Sequence, residues 1–389
     1  MNIEEFSTNV VSRLKSNLPE GREFIALHEP TFEGNEWNYL KECLDSGWVS
    51  SVGKYVDLFE QKVSAFTGTN HAVAVMNGTA ALHICLKLAD VQQQDEVLVP
   101  SLTFVATANA ISYCGAIPHF VDISHQTLGL DPYVLSDYLE SISEIRSGAC
   151  YNKKTGRRIK AVVPMHTFGH SVDLDPLVIL CEKYGLELVE DAAESLGSYY
   201  KGRHTGSFGR TAAISFNGNK IITTGGGGAI VTNDESIARK AKHLTTTSKI
   251  AHPWEYDHDH IGYNYRMPNI NAALGCAQLE KLPELLHKKR DLAARYHIAF
   301  ADMDGIQVFR EPDFSSSNYW LNTLILDRKY AAARDIILND SNKNGIMTRP
   351  VWKLLHKLSI YEHCPKMNTP VADDLEKRII NIPSSANCL

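Results

Sequence analysis

Between His71 and Glu190 short apolar runs rich in β-branched residues alternate with helical patterns, and this alternation restricts the possible folds more than any other feature of the chain. Residues 71–76, 96–99, 117–121, 159–164 and 186–190 read as strands, while 79–88, 104–113 and 174–184 carry apolar side chains at helical spacing. Strands joined through a helix run parallel, and a parallel sheet is covered on both faces, so its strands read as unbroken apolar runs. Two further strands, 212–216 and 228–232, flank a loop that holds Lys220 and the run Gly225-Gly226-Gly227-Gly228. Beyond about Pro268 the pattern changes to one long helix over 270–300, strands near 306–309 and 319–326, and a helix near 330–342. At the other end, Phe6, Val10, Val11 and Leu14 form one helical stripe. The expected organisation is an N-terminal helix within 1–25 packed on the body, a large domain over 26–262 and a smaller α+β domain over 263–389.

Composition narrows the function classes. The 389 residues are 44% hydrophobic and 22% charged with a net charge of −6. That excludes a disordered chain and leaves no cationic excess for a nucleic-acid backbone. The opening Met1-Asn2-Ile3-Glu4-Glu5-Phe6 lacks the basic and apolar regions of a secretory leader, and no apolar stretch is long enough to span a bilayer. A cytoplasmic protein is expected, without membrane or nucleic-acid partners. The eight cysteines are scattered with no Cys-x-x-Cys pair, which fits reduced thiols. His252, His258 and His260 lie around Asp257 and Asp259, but that stretch reads as a solvated loop and no metal site is expected. A cationic stretch with Arg146, Lys153, Lys154, Arg157, Arg158 and Lys160 reads as a solvated hairpin, with contact to a diphosphate as the alternative.

Three segments could carry chemistry. In Asn77-Gly78-Thr79-Ala80-Ala81-Leu82 a strand ends in a glycine turn and a helix opens, and free N–H groups there suit a phosphate, although any capped helix looks alike. In Glu190-Asp191-Ala192-Ala193-Glu194 a carboxylate follows an apolar strand and would point into the crevice where α/β sheets bind ligands; a helix cap is the alternative. In Ser215-Phe216-Asn217-Gly218-Asn219-Lys220 the lysine sits between apolar and glycine-rich segments, where desolvation would favour a free amine nucleophile. Phosphate cradle, strand-end acid and enclosed lysine together make the parts list of a pyridoxal phosphate site.

Seven motifs in order give a more specific resemblance: Gly47-Trp48-Val49-Ser50-Ser51, Asn77 to Leu82, Pro100-Ser101-Leu102-Thr103-Phe104, Val163-Pro164-Met165-His166, Glu190 to Glu194, Ser215 through Lys220 to Gly228, and Gly262-Tyr263-Asn264-Tyr265-Arg266-Met267. On these the chain resembles the DegT/StrS family of sugar aminotransferases. The resemblance implies an α/β architecture of the fold type I transferases, with a mostly parallel seven-stranded sheet between helices and a smaller C-terminal α+β domain. It implies Lys220 as the Schiff-base lysine, Asp191 as partner of the pyridinium nitrogen, and Gly78, Thr79, Ala80 and Ser215 around the phosphate. Phe104 matches a ring stacked on the pyridine, and Asn264 a residue that reaches the neighbouring subunit's cofactor, hence a homodimer with shared sites. Glu194 stands where the family usually has Gln or His, and Gly226 where it usually has Glu.

The implied reaction moves an amino group from L-glutamate, through pyridoxamine phosphate, to the ketone of a nucleotide-linked sugar. Finer resemblance around Asn318-Tyr319-Trp320-Leu321-Asn322 and Arg349-Pro350-Val351-Trp352 points to the C4 ketone of UDP-2-acetamido-2,6-dideoxy-4-hexulose and a bacillosamine-type surface-glycan route. Amination of GDP-4-keto-6-deoxymannose (perosamine formation) is the alternative, followed by a cofactor-dependent dehydratase and a non-catalytic regulator. His166, Trp320, Arg349, Trp352 and His356 are the expected substrate-side residues.

Overall fold

The computed structural model describes residues 2–388. Its centre is a seven-stranded sheet in the order Ile117–Val121, Glu96–Pro100, Ile159–Val162, Glu187–Asp191, Thr211–Ser215, Gly228–Thr232, His71–Val75. Only Gly228–Thr232 runs against its neighbours. The mostly parallel sheet predicted from the alternation is therefore present.

Strand periodicity divides the core between the two faces. Val73, Val75, Val97, Val99, Val189, Ala213 and Ile230 face the helices Gly78–Leu88 and Val105–Tyr113. On the other face, Leu98, Val162 and Leu188 meet the helix Leu174–Tyr184, while Ala74, Ala212 and Ile214 meet Lys54–Thr67 and the first half of Asn269–Ala299. Gly78–Leu88 is apolar nearly all round because the sheet covers one side and neighbouring helices the other.

The second sheet is antiparallel, in the order Ile306–Val308, Asn322–Leu326, Ile379–Ile382, Arg349–Pro350. The N-terminal helix Ile3–Ser16 packs here, burying Phe6, Val10, Val11 and Leu14 against the helix Ala333–Lys343 and the second half of Asn269–Ala299. The Phe6 ring stacks on Tyr330 with centroids 3.9 Å apart. The long helix thus contributes to both cores: Ala272 to Leu285 on the large sheet, Leu292 and Tyr296 on the small one.

The cationic stretch does form a hairpin, Ser143–Arg146 against Ala149–Asn152. Arg158 pairs with Asp95 at 2.6 Å, Arg157 lies 3.7 Å from Glu96, and Lys160 is 3.5 Å from Glu187. Asp95, Glu96 and Glu187 stand at the N-terminal ends of their strands, so this positive charge meets acids at the sheet edge opposite the strand C-termini.

Candidate active site

The C-terminal ends of the parallel strands enclose a cavity of about 250 Å³ lined by Gly78, Thr79, Phe104, Asp191, Glu194, Ser215, Lys220, Trp320 and Trp352 among others. This is the crevice position expected of an open α/β sheet. Its walls come together because three backbone segments approach closely. A Cβ on Gly78 would lie 2.9 Å from Ser215 Cβ, and one on Gly228 would lie 2.5 Å from the Asn77 carbonyl carbon. Glycine alone lets the start of the Gly78–Leu88 helix press against the ends of two strands.

That helix start offers amide donors, and Asn77 caps it by accepting the Ala80 amide at 2.8 Å. The Ala80 N–H is therefore already bonded and Ala80 does not line the cavity, whereas Gly78, Thr79 and Ser215, the other residues expected at the phosphate, do.

Asp191 ends the Glu187–Asp191 strand with its side chain buried. Its Oδ2 accepts the Thr107 hydroxyl at 2.8 Å and its Oδ1 the Ala193 amide at 3.2 Å. Burial raises this carboxyl above its ordinary value, and Thr107, the Ala193 amide and Lys220 oppose the rise. A buried acid with so few donors is suited to a cationic ring nitrogen.

Lys220 Nζ stands 3.3 Å from Glu194 Oε1 and 3.9 Å from the centre of the Trp320 ring. Glu194 Oε2 accepts the Phe168 amide at 2.9 Å. Burial pushes the Glu194 carboxyl up to about 7, against the pull of Lys220 and the Phe168 amide. An acid where the family usually has a neutral side chain thus serves as the lysine's counterion and titrates near neutrality.

Phe104 is half exposed at the cavity mouth, its ring 6.1 Å from Trp352. Trp320 is buried with its indole N–H donating to the Asn219 carbonyl at 2.7 Å. Arg349 lines an adjoining chamber of about 500 Å³, which also includes His28, Trp320 and Trp352.

Two expected substrate residues do not reach either space. His166 is fully buried: Nε2 is 3.0 Å from Glu190 Oε2 and Nδ1 accepts the Val172 amide at 3.4 Å. Its neighbour Met165 lines the cavity instead. His356 is also buried, in the neighbourhood of Phe120 and away from the cavity lining. Asn264 is exposed, accepts from Arg266 at 2.9 Å and lies outside this chain's own cavity.

The histidine-rich loop does bring ligand-type atoms together, but with a member that the sequence reading missed. His243 and His260 both contact Asp259 Oδ1, at 2.6 and 3.1 Å, whereas His252 and His258 turn to backbone groups. Hydrogen bonds from the two imidazoles hold the Asp259 carboxyl down to about 2. Thr107 and the Phe168 amide were missed too. Thr103 and Thr107, four apart at a helix start, were the available signal for the first.

A model of the DegT/DnrJ/EryC1/StrS aminotransferase family matches residues 30–388. The chain belongs to this family. It is 38% identical over 361 residues to the GDP-perosamine synthase of Vibrio cholerae, covering 92% of this chain and 94% of that protein. To the putative pyridoxal phosphate-dependent aminotransferase EpsN of Bacillus subtilis it is 40% identical over 367 residues, covering 93% and 91%. Among solved structures, Helicobacter pylori PseC, an aminotransferase of pseudaminic acid biosynthesis, superposes with a TM-score of 0.84 at 27% identity over 94% of each chain. The protein is a pyridoxal phosphate-dependent sugar aminotransferase. The residues present fit that cofactor: an amine, a donor-poor buried acid across the cavity, and a glycine-tight helix start beside Ser215.

Proposed function

We propose that the enzyme transfers an amino group from L-glutamate to the C4 ketone of a nucleotide-linked 4-keto-6-deoxysugar. The observation that carries this reading is the placement of Lys220 Nζ beside Glu194 in a cavity that also holds Asp191 and an open helix start. Pyridoxal phosphate supplies the electron sink when bound. Gly78, Thr79 and Ser215 hold its phosphate, and Asp191 keeps the ring nitrogen protonated. Lys220 moves the proton at the substrate carbon, and Glu194, titrating near 7, takes or returns a proton at Nζ. The Phe104 ring, at the cavity mouth beside Trp352, is the face offered to the pyridine ring.

For the sugar nucleotide, the relatives support GDP-4-keto-6-deoxymannose better than the UDP-linked sugar that the finer resemblance suggested. For the diphosphate, Arg349 in the adjoining chamber is the better candidate than the cationic stretch, whose Arg157 and Arg158 pair with Glu96 and Asp95 at the opposite edge of the sheet. Glutamate-dependent amination by the purified protein, run against GDP-4-keto-6-deoxymannose, UDP-2-acetamido-2,6-dideoxy-4-hexulose and a dTDP-4-keto-6-deoxysugar, tests this. The GDP sugar is expected to give the highest kcat/KM, and a preference for either other sugar overturns the choice of nucleotide.

The functional unit in this reading is a homodimer in which Asn264 completes the partner's site. Its exposure outside the chain's own cavity supports this, as do Trp254, Tyr256 and Ile261, which are 76%, 80% and 87% exposed on the preceding loop. Mixing inactive Lys220→Ala with Asn264→Ala protein under subunit exchange is expected to restore activity in hybrid dimers. No recovery in verified hybrids refutes the sharing.

A further inference from the structure

Trp320 was expected to meet the substrate, but its surroundings assign it to Lys220. The ring face lies against Nζ, and both the ring edge and the backbone of Trp320 are tied from several sides. The indole N–H is bonded to Asn219, the residue before Lys220. The Trp320 amide donates to Asn318 Oδ1 at 2.8 Å. The Asn318 side-chain nitrogen in turn donates to the carbonyls of Glu194 and Leu196, both at 2.9 Å, so one buried amide joins the Glu194 loop to the Trp320 segment. Gly169 makes room for it, since a Cβ there would lie 1.9 Å from Asn318 Oδ1.

The remaining tie is a fully buried lysine. Lys289, on the Asn269–Ala299 helix, donates to the Trp320 carbonyl at 3.1 Å and to the Ser384 carbonyl, and no carboxylate among the described residues pairs with it. Burial pushes its ammonium down to about 7, which is a costly way to fill a helix face. Both carbonyls lie just beyond the last register pair of the small sheet, Asn322 with Ile382, where strand partners run out. Tyr319, immediately before Trp320, has φ of +47°, a left-handed conformation that a non-glycine residue keeps only when its surroundings impose it. Clamps on both sides of a strained residue fix the direction of the next side chain.

We propose that Trp320 is a positioning residue for Lys220, that its ring stabilises positive charge at Nζ, and that Lys289 and Asn318 hold the ring in that place. The proposal rests on Lys220 being the lysine that carries the cofactor. The charged and titratable groups that face Nζ are Glu194 at 3.3 Å, Asp191 and, from the N-terminal segment, His28. Trp320 adds to them a face that attracts a cation without contributing a negative charge.

The test is a pH titration of the cofactor's visible absorption band in the holoenzyme, for wild type, Trp320→Leu, Trp320→Phe and Lys289→Met. Trp320→Leu is expected to lower the midpoint by about one pH unit, the size of a desolvated cation–π contact. Trp320→Phe, which keeps an aromatic face, is expected to restore most of it. Lys289→Met is expected to move the midpoint in the same direction by less, while a purely structural lysine would lower thermal stability and leave the midpoint in place. Should Lys289→Met not fold, the Leu and Phe variants decide the question of the ring. An unchanged midpoint in Trp320→Leu, or in a folded Lys289→Met, overturns the corresponding half of the proposal. Loss of the band in Lys220→Ala checks the underlying reading separately, and a band that persists there sinks that reading instead.

Discussion

The large sheet buries carboxylates at both edges, and Glu96 at one edge is treated in the opposite way to Asp191 and Glu194 at the other, where the neighbouring Glu190 is as saturated with donors as Glu96. At the N-terminal edge Glu96 is fully buried yet receives His119 at 2.8 Å, Asn152 at 2.9 Å and Thr155 at 2.6 Å, with Arg157 at 3.7 Å. Burial pushes its carboxyl up, and the hydrogen bonds from His119, Thr155 and Asn152 more than offset this, so it ends below its ordinary value. At the C-terminal edge Asp191 and Glu194 are equally buried but short of donors, and both end above theirs. A carboxylate saturated by its own chain is part of the architecture, while one left short is available to a ligand or a proton.

The contrast can be broken at either edge. The largest effect is expected from Lys220→Ala, which should leave no measurable glutamate-dependent amination; turnover without an added amine would sink the assignment. Asp191→Asn should lower kcat by about 100- to 1000-fold, the size of the loss when one preorganised electrostatic group is removed from an active site. Steady-state kinetics check this, and a loss below tenfold would place Asp191 outside the chemistry. Glu96→Ala should do the reverse, costing about 3–5 kcal/mol in urea unfolding because it strands buried partners, with KM unchanged in the folded fraction.

The smallest effect sharpens the comparison through pH. The folded-state Glu194 carboxyl, raised to about 7, holds a proton that the unfolded chain has already lost between about pH 4.5 and 7. Its contribution to stability is therefore present in acid and lost as pH rises through 7. Glu194→Gln should remove that loss, so the melting temperature of the variant relative to wild type should rise from pH 5 to pH 8. A flat difference would show that Glu194 stays ionised throughout.

Much of the fold was legible because a parallel sheet covered on both faces writes itself as short apolar runs between helices. The positions of Asp191, Ser215 and Lys220 followed from strand ends and from motif order. His166 lies beyond the end of the strand Ile159–Val162, in irregular chain whose side-chain directions no periodicity announces, and there it turns to Glu190 while Met165 lines the cavity. The surroundings of Arg157, Arg158 and Lys160 could not be placed from sequence, because the acids they meet lie about 60 residues before them at Asp95 and Glu96 and after them at Glu187. Asn318 and Lys289 are invisible for a similar reason. Nothing near either residue in the sequence announces contacts 124 positions back to Glu194 or 31 positions ahead to Trp320.

The helix Asn269–Ala299 belongs to both cores. A chain cut before it would lose one wall of the large sheet, and a chain beginning after it would lose Leu292 and Tyr296 from the small core together with Phe6 and Val10 of the N-terminal helix. The two sheets can be described separately but share one strut, so heat or denaturant should melt them in a single transition, and neither half should be recoverable as an independently folding fragment.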